Sequence, residues 1–251
     1  MYYSHTYNTL WHDTDPRGLL RPSAYLRYMQ ETGNRQCRDF GYDLDTMFRR
    51  DRMGFILARL RLRVIRPLRA YEDIEVRTWC PPSRGVTFLR CFSILRGGET
   101  FAEAMSYWAL VDADSRRFIR VGDFDRPFPD GEPLPEEALP PMARVPSALV
   151  FQTVGQRPVT PADLDFNLHM NNTRYPDVIC DALPDDALSG RYVSGLSISY
   201  IKEAPGGSVL SVGRLPDPAA PGSWMVRGTL GSGETCFDAL AGLAEIPTDG
   251  D

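Results

Sequence analysis

Pro161-Ala-Asp-Leu-Asp-Phe-Asn-Leu-His-Met-Asn-Asn-Thr-Arg-Tyr175 is the stretch on which the reading of this chain turns. From Asp163 to Met170, polar Asp163, Asp165, Asn167 and His169 alternate with apolar Leu164, Phe166, Leu168 and Met170. In an extended backbone, side chains two apart share a face. That predicts Asp165, Asn167 and His169 on one side, with the apolar set anchoring the segment from the other. Asn171, Asn172 and Thr173 are helix-capping residue types, so a helix should follow. A carboxylate, an amide and an imidazole brought to a helix start supply a base, a polar positioner and backbone N–H donors for an oxyanion, the groups acyl transfer needs. The same residues also suit a plain turn and cap, and this stretch alone does not separate the two.

Working outward, the chain repeats itself. Asp13-Thr-Asp15 recurs as Asp163-Leu-Asp165, and Tyr25 as Tyr175, at a shift of 150. Glu99-Thr100 recurs as Glu234-Thr235, and Ala104 as Ala239, at a shift of 135. The shift shrinks because the second copy has a shorter stretch after its helix. In the first copy, residues 2–11 read as a strand, and Ser23 is placed to cap a helix running to about Phe40, with Gly41 at its C-terminal cap. Period-two segments follow over 54–64, 74–79, 87–95 and 101–111. In the second copy a strand over 151–158, a turn over 161–172, a helix over 173–183 and strands over 192–200, 209–214, 224–230 and 235–246 repeat the order. Residues 125–149 hold seven prolines and are expected to form a surface linker. The expected organisation is therefore a first unit 1–124, a linker 125–149 and a second unit 150–251. In each unit a long helix and a curved antiparallel sheet must bury their apolar faces on each other, and the two sheets can join edge to edge. Where the second copy has Asn167 and His169, the first has Arg17 and Leu19. A structural cap would be needed in both copies and a single catalytic site in only one, which favours chemistry at 165–169.

Composition limits the remaining possibilities. With 43% apolar and 24% charged residues and a net charge of −5, the chain can build a core and carries no global basic field for nucleic acid. Arg59, Arg61 and Arg63 belong to an arginine-rich region, either a solvated strand face or a dock for an acidic partner. Five scattered cysteines without a C-x-x-C pair point to reduced thiols in the cytoplasm. No leader-like N-terminus and no 18-residue apolar run appear in the sequence. No second His/Cys cluster completes a metal site, and no cofactor is expected.

The segment 163–175 resembles the signature of the acyl-acyl-carrier-protein (acyl-ACP) thioesterases. Gln30-Glu-Thr32, Ala104-Met-Ser-Tyr-Trp-Ala-Leu-Val-Asp112 and Arg116-Arg117 extend the likeness over nearly the whole chain. It is weakest at 125–149 and 214–223. The resemblance implies an α+β double hotdog fold with one active site, built mainly from the second hotdog, and no cofactor. It places the catalytic residues on Asp165, Asn167 and His169, with a further carboxylate on Glu203. On residues alone Glu203 reads as a strand-end charge. Plant members often carry a Cys directly after that Glu; here Ala204 stands there, excluding a Cys-His-Asn mechanism at that site.

The implied reaction is hydrolysis of fatty acyl-ACP, with acidic acyl carrier protein as partner. An acyl-CoA thioesterase and a non-catalytic acyl-binding protein are the alternatives. Tyr25, Leu26, Met29 and Trp108 are candidates to line the acyl tunnel and equally read as core. Arg59, Arg61 and Arg63 are the candidate carrier dock. Two fused hotdogs satisfy the usual dimer interface internally, so a monomer or a homodimer is expected.

Overall fold

The computed structural model describes residues 1–43, 46–124, 131–146 and 148–248. The first part of the Pro-rich linker, including Pro127 and Pro129, and the last three residues lie outside the described residues. The first repeat contains β1 (Tyr3–Asn8), α1 (Pro22–Asp39), β2 (Met53–Val64), β3 (Asp73–Trp79), β4 (Thr87–Arg96) and β5 (Glu99–Asp112), with a short β6 (Phe118–Ile119) on β5. The second contains β7 (Gln152–Pro158), α2 (Tyr175–Asp181), β8 (Arg191–Tyr200), β9 (Val209–Pro216), β10 (Ser223–Leu230) and β11 (Thr235–Glu245).

All strands form one sheet in the order β1-β3-β4-β5-β2-β8-β11-β10-β9-β7. Each half therefore has the same internal order, and the halves join where β2 pairs antiparallel with β8, from Arg59 opposite Ser199 to Arg63 opposite Gly195. The join removes one edge from each half, while β1 and β7 remain as outer edges. Leu60, Leu62 and Val64 of β2 face the same continuous core as Leu196 and Ile198 of β8, together with Tyr25 of α1 and Ile179 of α2.

The two helices differ more than the repeat suggests. In α1, Ser23 is buried inside the helix rather than capping it; Arg21 holds the N-cap position, with Pro22 in the first turn. Its C-terminus closes as expected: Gly41 at φ +77° lets its N–H reach Arg38 O at 2.9 Å, while Tyr42 N–H reaches Cys37 O at 2.7 Å. The segment expected as a helix over 173–183 instead begins with a 3-10 turn, Asn172–Arg174, and α2 has seven residues. Pro184 disfavours helical backbone at Leu183 and helps stop it there.

The described part of the linker is more than a spacer. Arg61 is 3% exposed and projects from the face of β2 opposite the helices. It donates to the carbonyls of Pro140 (2.7 Å), Glu136 (2.9 Å) and Leu139 (3.3 Å) and pairs with the Glu136 carboxylate. Ser197 Oγ accepts from Ala143 N–H and Ser199 Oγ donates to Ala143 O. These bonds hold the linker across the outer side of the β2–β8 seam.

Candidate active site

Residues 164–170 form a tight hairpin within the turn expected over 161–172, so the single extended face suggested by their alternation is broken at its tip. Leu164 bridges Met170, Asp165 N–H donates to His169 O at 2.9 Å, and Leu168 N–H donates to Asp165 O at 3.0 Å. Leu168 sits at φ +62°, the position Gly18 holds at φ +75° in the first repeat. The first hairpin repeats these bonds, with Asp15 N–H on Leu19 O at 2.8 Å and Gly18 N–H on Asp15 O at 2.9 Å. The turn itself was expected, but a two-residue alternation continues through it without showing where the chain reverses.

Asp165 and His169 are thus backbone partners across the hairpin, with Asn167 at the tip; Asp165 and Asn167 line the cavity beside it, and His169 is not among its lining residues. Asp165 Oδ1 accepts the Asn167 backbone N–H at 2.8 Å. His169 Nδ1 lies 3.3 Å from Glu203 Oε2. That contact is positioned by the loop after β8, where Met170 N–H donates to Ala204 O at 2.8 Å and His169 bridges Pro205. Asp163 stays behind the site. Burial would raise its pKa, but Arg157 and the Thr160 N–H and hydroxyl hold the carboxylate down at about 2.

The backbone donors expected near Met170–Asn172 are largely committed. Met170 N–H is bonded to Ala204 O and Asn171 N–H to Asp163 O, and the Asn171 side chain caps the following turn by accepting from Thr173 N–H. An oxyanion would therefore rely on side chains here. Burial, with Asp177 nearby, pushes the Cys180 thiol up to about 12, which keeps it protonated and unsuited to attack. Among the described residues, no three His, Cys, Asp or Glu side chains gather as a metal site.

A cavity of about 700 Å³ opens beside the hairpin. Asp165, Phe166, Asn167, Asn171 and Asn172 line one end, while the first repeat supplies the rest. Phe55, Phe88 and Phe124 pack edge to face with centroids 5.3–5.9 Å apart and form an apolar wall with Met47 and Trp108. Of the four tunnel candidates, Trp108 lines this cavity; Tyr25, Leu26 and Met29 belong to the core, and Tyr25 OH accepts from Leu68 N–H. Arg59 and Arg63 are exposed, whereas Arg61 is buried beneath the linker. The sequence reading missed Met47, Phe55 and Phe88. For Met47 and Phe55 the signal was the aromatic and apolar stretch after α1, which the shorter second copy lacks; Phe88, on β4, carried no signal beyond strand periodicity.

Two copies of a sheet-wrapped helix in one continuous sheet, with a polar site developed in only one copy, define a double hotdog protein. Residues 1–124 match the acyl-ACP thioesterase N-terminal domain and residues 151–217 the acyl-ACP thioesterase C-terminal domain. The chain belongs to the acyl-ACP thioesterase family. It is 26% identical over 193 residues to oleoyl-acyl carrier protein thioesterase 1 of Arabidopsis thaliana, a chloroplastic protein, covering 70% of this chain and 53% of that one. The chain thus spans about half the length of the curated relatives it matches. Its fold is similar to that of an acyl-ACP thioesterase from Bacteroides thetaiotaomicron, with a TM-score of 0.85, 20% identity and coverage of 97% and 98%. It is also similar to the 12:0-ACP thioesterase of Umbellularia californica, with a TM-score of 0.83, 18% identity and 97% coverage of both chains. No described helix is long and apolar enough to cross a membrane.

Proposed function

We propose that this protein hydrolyses the thioester of fatty acyl-ACP, releasing the fatty acid and the carrier's thiol. The observation that carries this reading is the meeting of an apolar cavity from the first repeat with Asp165 and Asn167 at its end. The acyl chain lies in the cavity, which brings its carbonyl to the hairpin. Asp165 takes a proton from the attacking water, and the Asn167 amide orients the water and the acyl oxygen. Glu203 Oε2, 3.3 Å from His169 Nδ1, favours the ring proton on that nitrogen and leaves the Nε2 lone pair facing away from it. Glu203 therefore acts through His169 rather than as a second base. As the C–S bond breaks, the proton that Asp165 took from water passes by way of His169 Nε2 to the departing sulfur, leaving both side chains as they began. This demand is mild, because a thiol has a pKa of about 8.5.

The reaction belongs in a cytoplasmic fatty-acid-forming pathway, with acyl carrier protein as the partner that delivers the substrate. Thiol release from matched acyl-ACP and acyl-CoA substrates tests this, with wild type beside His169→Ala. Carrier-preferring turnover that falls about 100-fold or more in a folded His169→Ala supports it. Equal or better turnover of CoA esters would move the substrate to acyl-CoA. Tight acyl binding without turnover would make the site a receptor.

A further inference from the structure

We propose that Phe48 and Phe166 form an aromatic clasp across the two repeats that admits straight acyl chains to Asp165 and rejects branched ones; this rests on the hydrolase reading above. The repeat supplies the comparison. In the first hairpin, Arg17 donates to Leu188 O at 2.8 Å and to Arg191 O, tying that hairpin to the segment after α2. The second hairpin meets the segment after α1, but Asn167 stands in place of Arg17 and makes no such tie among the described residues. Contact there passes instead through Phe166 and Phe48, whose ring centroids are 5.6 Å apart at 87°.

Each ring comes from a feature of one repeat alone. Phe166 stands where the first hairpin has Pro16, and Phe48 comes from the post-helix stretch the second copy shortens. Phe48 lies in a π-helical turn, Thr46–Arg50, a form found often at functional sites. The Arg52 guanidinium carbon lies 5.7 Å from its ring centroid. Both rings line the cavity, yet Phe166 is 53% exposed, so the pair stands where cavity meets solvent. The inner wall of Phe55, Phe88 and Phe124 is interlocked on itself, whereas the clasp is a single edge-to-face pair between rotatable side chains. A constriction made this way limits width more than length. At 5.6 Å the edge of one ring rests on the face of the other, so any entering chain must part the rings, and a methyl branch must part them further than an unbranched chain does.

The test compares straight and methyl-branched acyl-ACP of equal chain length. Phe166→Ala or Phe48→Ala should raise the branched-to-straight ratio of kcat/KM about three- to tenfold, the range expected for losing one aromatic pair. The double variant should add little to either single one, since each removes the same contact. An unchanged ratio in both folded variants would overturn the clasp. Failure of wild type on every thioester would instead sink the hydrolase reading. The clasp is then judged by stopped-flow release of cis-parinaric acid: faster release from either variant supports it, and wild-type release rates reject it.

Discussion

Asp15 and Asp165 occupy the same place in the two repeats, and each accepts the backbone N–H of the residue two positions on at 2.8 Å, but their charges meet different partners. Asp15 is ion-paired with Arg17, which grips it through Nε at 2.9 Å and through Nη2. Asp165 has Asn167 in that position and no ion pair among the described residues. The first repeat thus keeps the hairpin as structure, and the second exposes the same carboxylate to the cavity.

Rebuilding the first repeat's ion pair should therefore silence the site. Asn167→Arg places a guanidinium beside Asp165 and removes the amide. Thiol release is expected to fall about 100- to 10,000-fold, the usual contribution of an acid–base group, with little change in thermal midpoint. Activity within tenfold of wild type would contradict the role given to Asp165.

Leu168 is expected to cost stability, since it holds a left-handed backbone that Gly18 occupies in the other copy. The side chain is 69% exposed and offsets little of that strain by burial. Leu168→Asn, a residue that tolerates this conformation, should raise unfolding free energy by about 0.5–1 kcal/mol. Urea denaturation would read the change, and a loss of stability would mean that the leucine makes compensating contacts.

Asp163 should make the fold acid-sensitive. Its folded pKa of about 2 lies below the unfolded value of about 3.9, so its contribution is fully present above pH 4 and is lost as the pH falls through 2. Asp163→Asn should remove about 2 kcal/mol near neutral pH and flatten this part of the acid-unfolding curve. An unchanged acid profile would show that Arg157 and Thr160 do not hold the charge as their geometry indicates.

A carrier dock would draw on exposed Arg59 and Arg63, the latter also donating to Ala138 O of the linker at 3.2 Å, and not on buried Arg61. Arg59→Glu with Arg63→Glu should raise KM for acyl-ACP by about tenfold, the scale of a surface charge pair turned repulsive, while sparing a short soluble thioester. Arg61→Glu should lower the thermal midpoint instead, because it leaves linker carbonyls without their donor. Equal effects of the surface pair on both substrates would remove docking as their role.

Much of this architecture is legible in one dimension because it is written twice. The matched Asp13/Asp163, Tyr25/Tyr175 and Glu99/Glu234 positions carry over into matched places, down to the Arg66–Glu99 and Lys202–Glu234 ion pairs at equivalent strand ends. Asn167 and His169 were legible as a break in that symmetry, whereas Asp165 repeats Asp15. The turn over 161–172 was legible too, but its reversal point at Leu168 was not, since leucine carries no turn signal and alternation reads alike through hairpin and strand. Tyr25, Leu26 and Met29 share the helical spacing of any buried face, so periodicity cannot distinguish packing on a core from lining a cavity.

The sequence by itself determined the doubled strand–helix–strands plan and the polar residues that appear in only one copy, because both are local patterns of side-chain type and spacing. Only the tertiary structure decided that His169 meets Glu203 across two chain segments, that Arg61 is taken up by linker carbonyls, and that the cavity of one repeat opens on the hairpin of the other. Each of these depends on which distant groups come within a few ångströms, and that is set by how the β2–β8 join brings the two halves together.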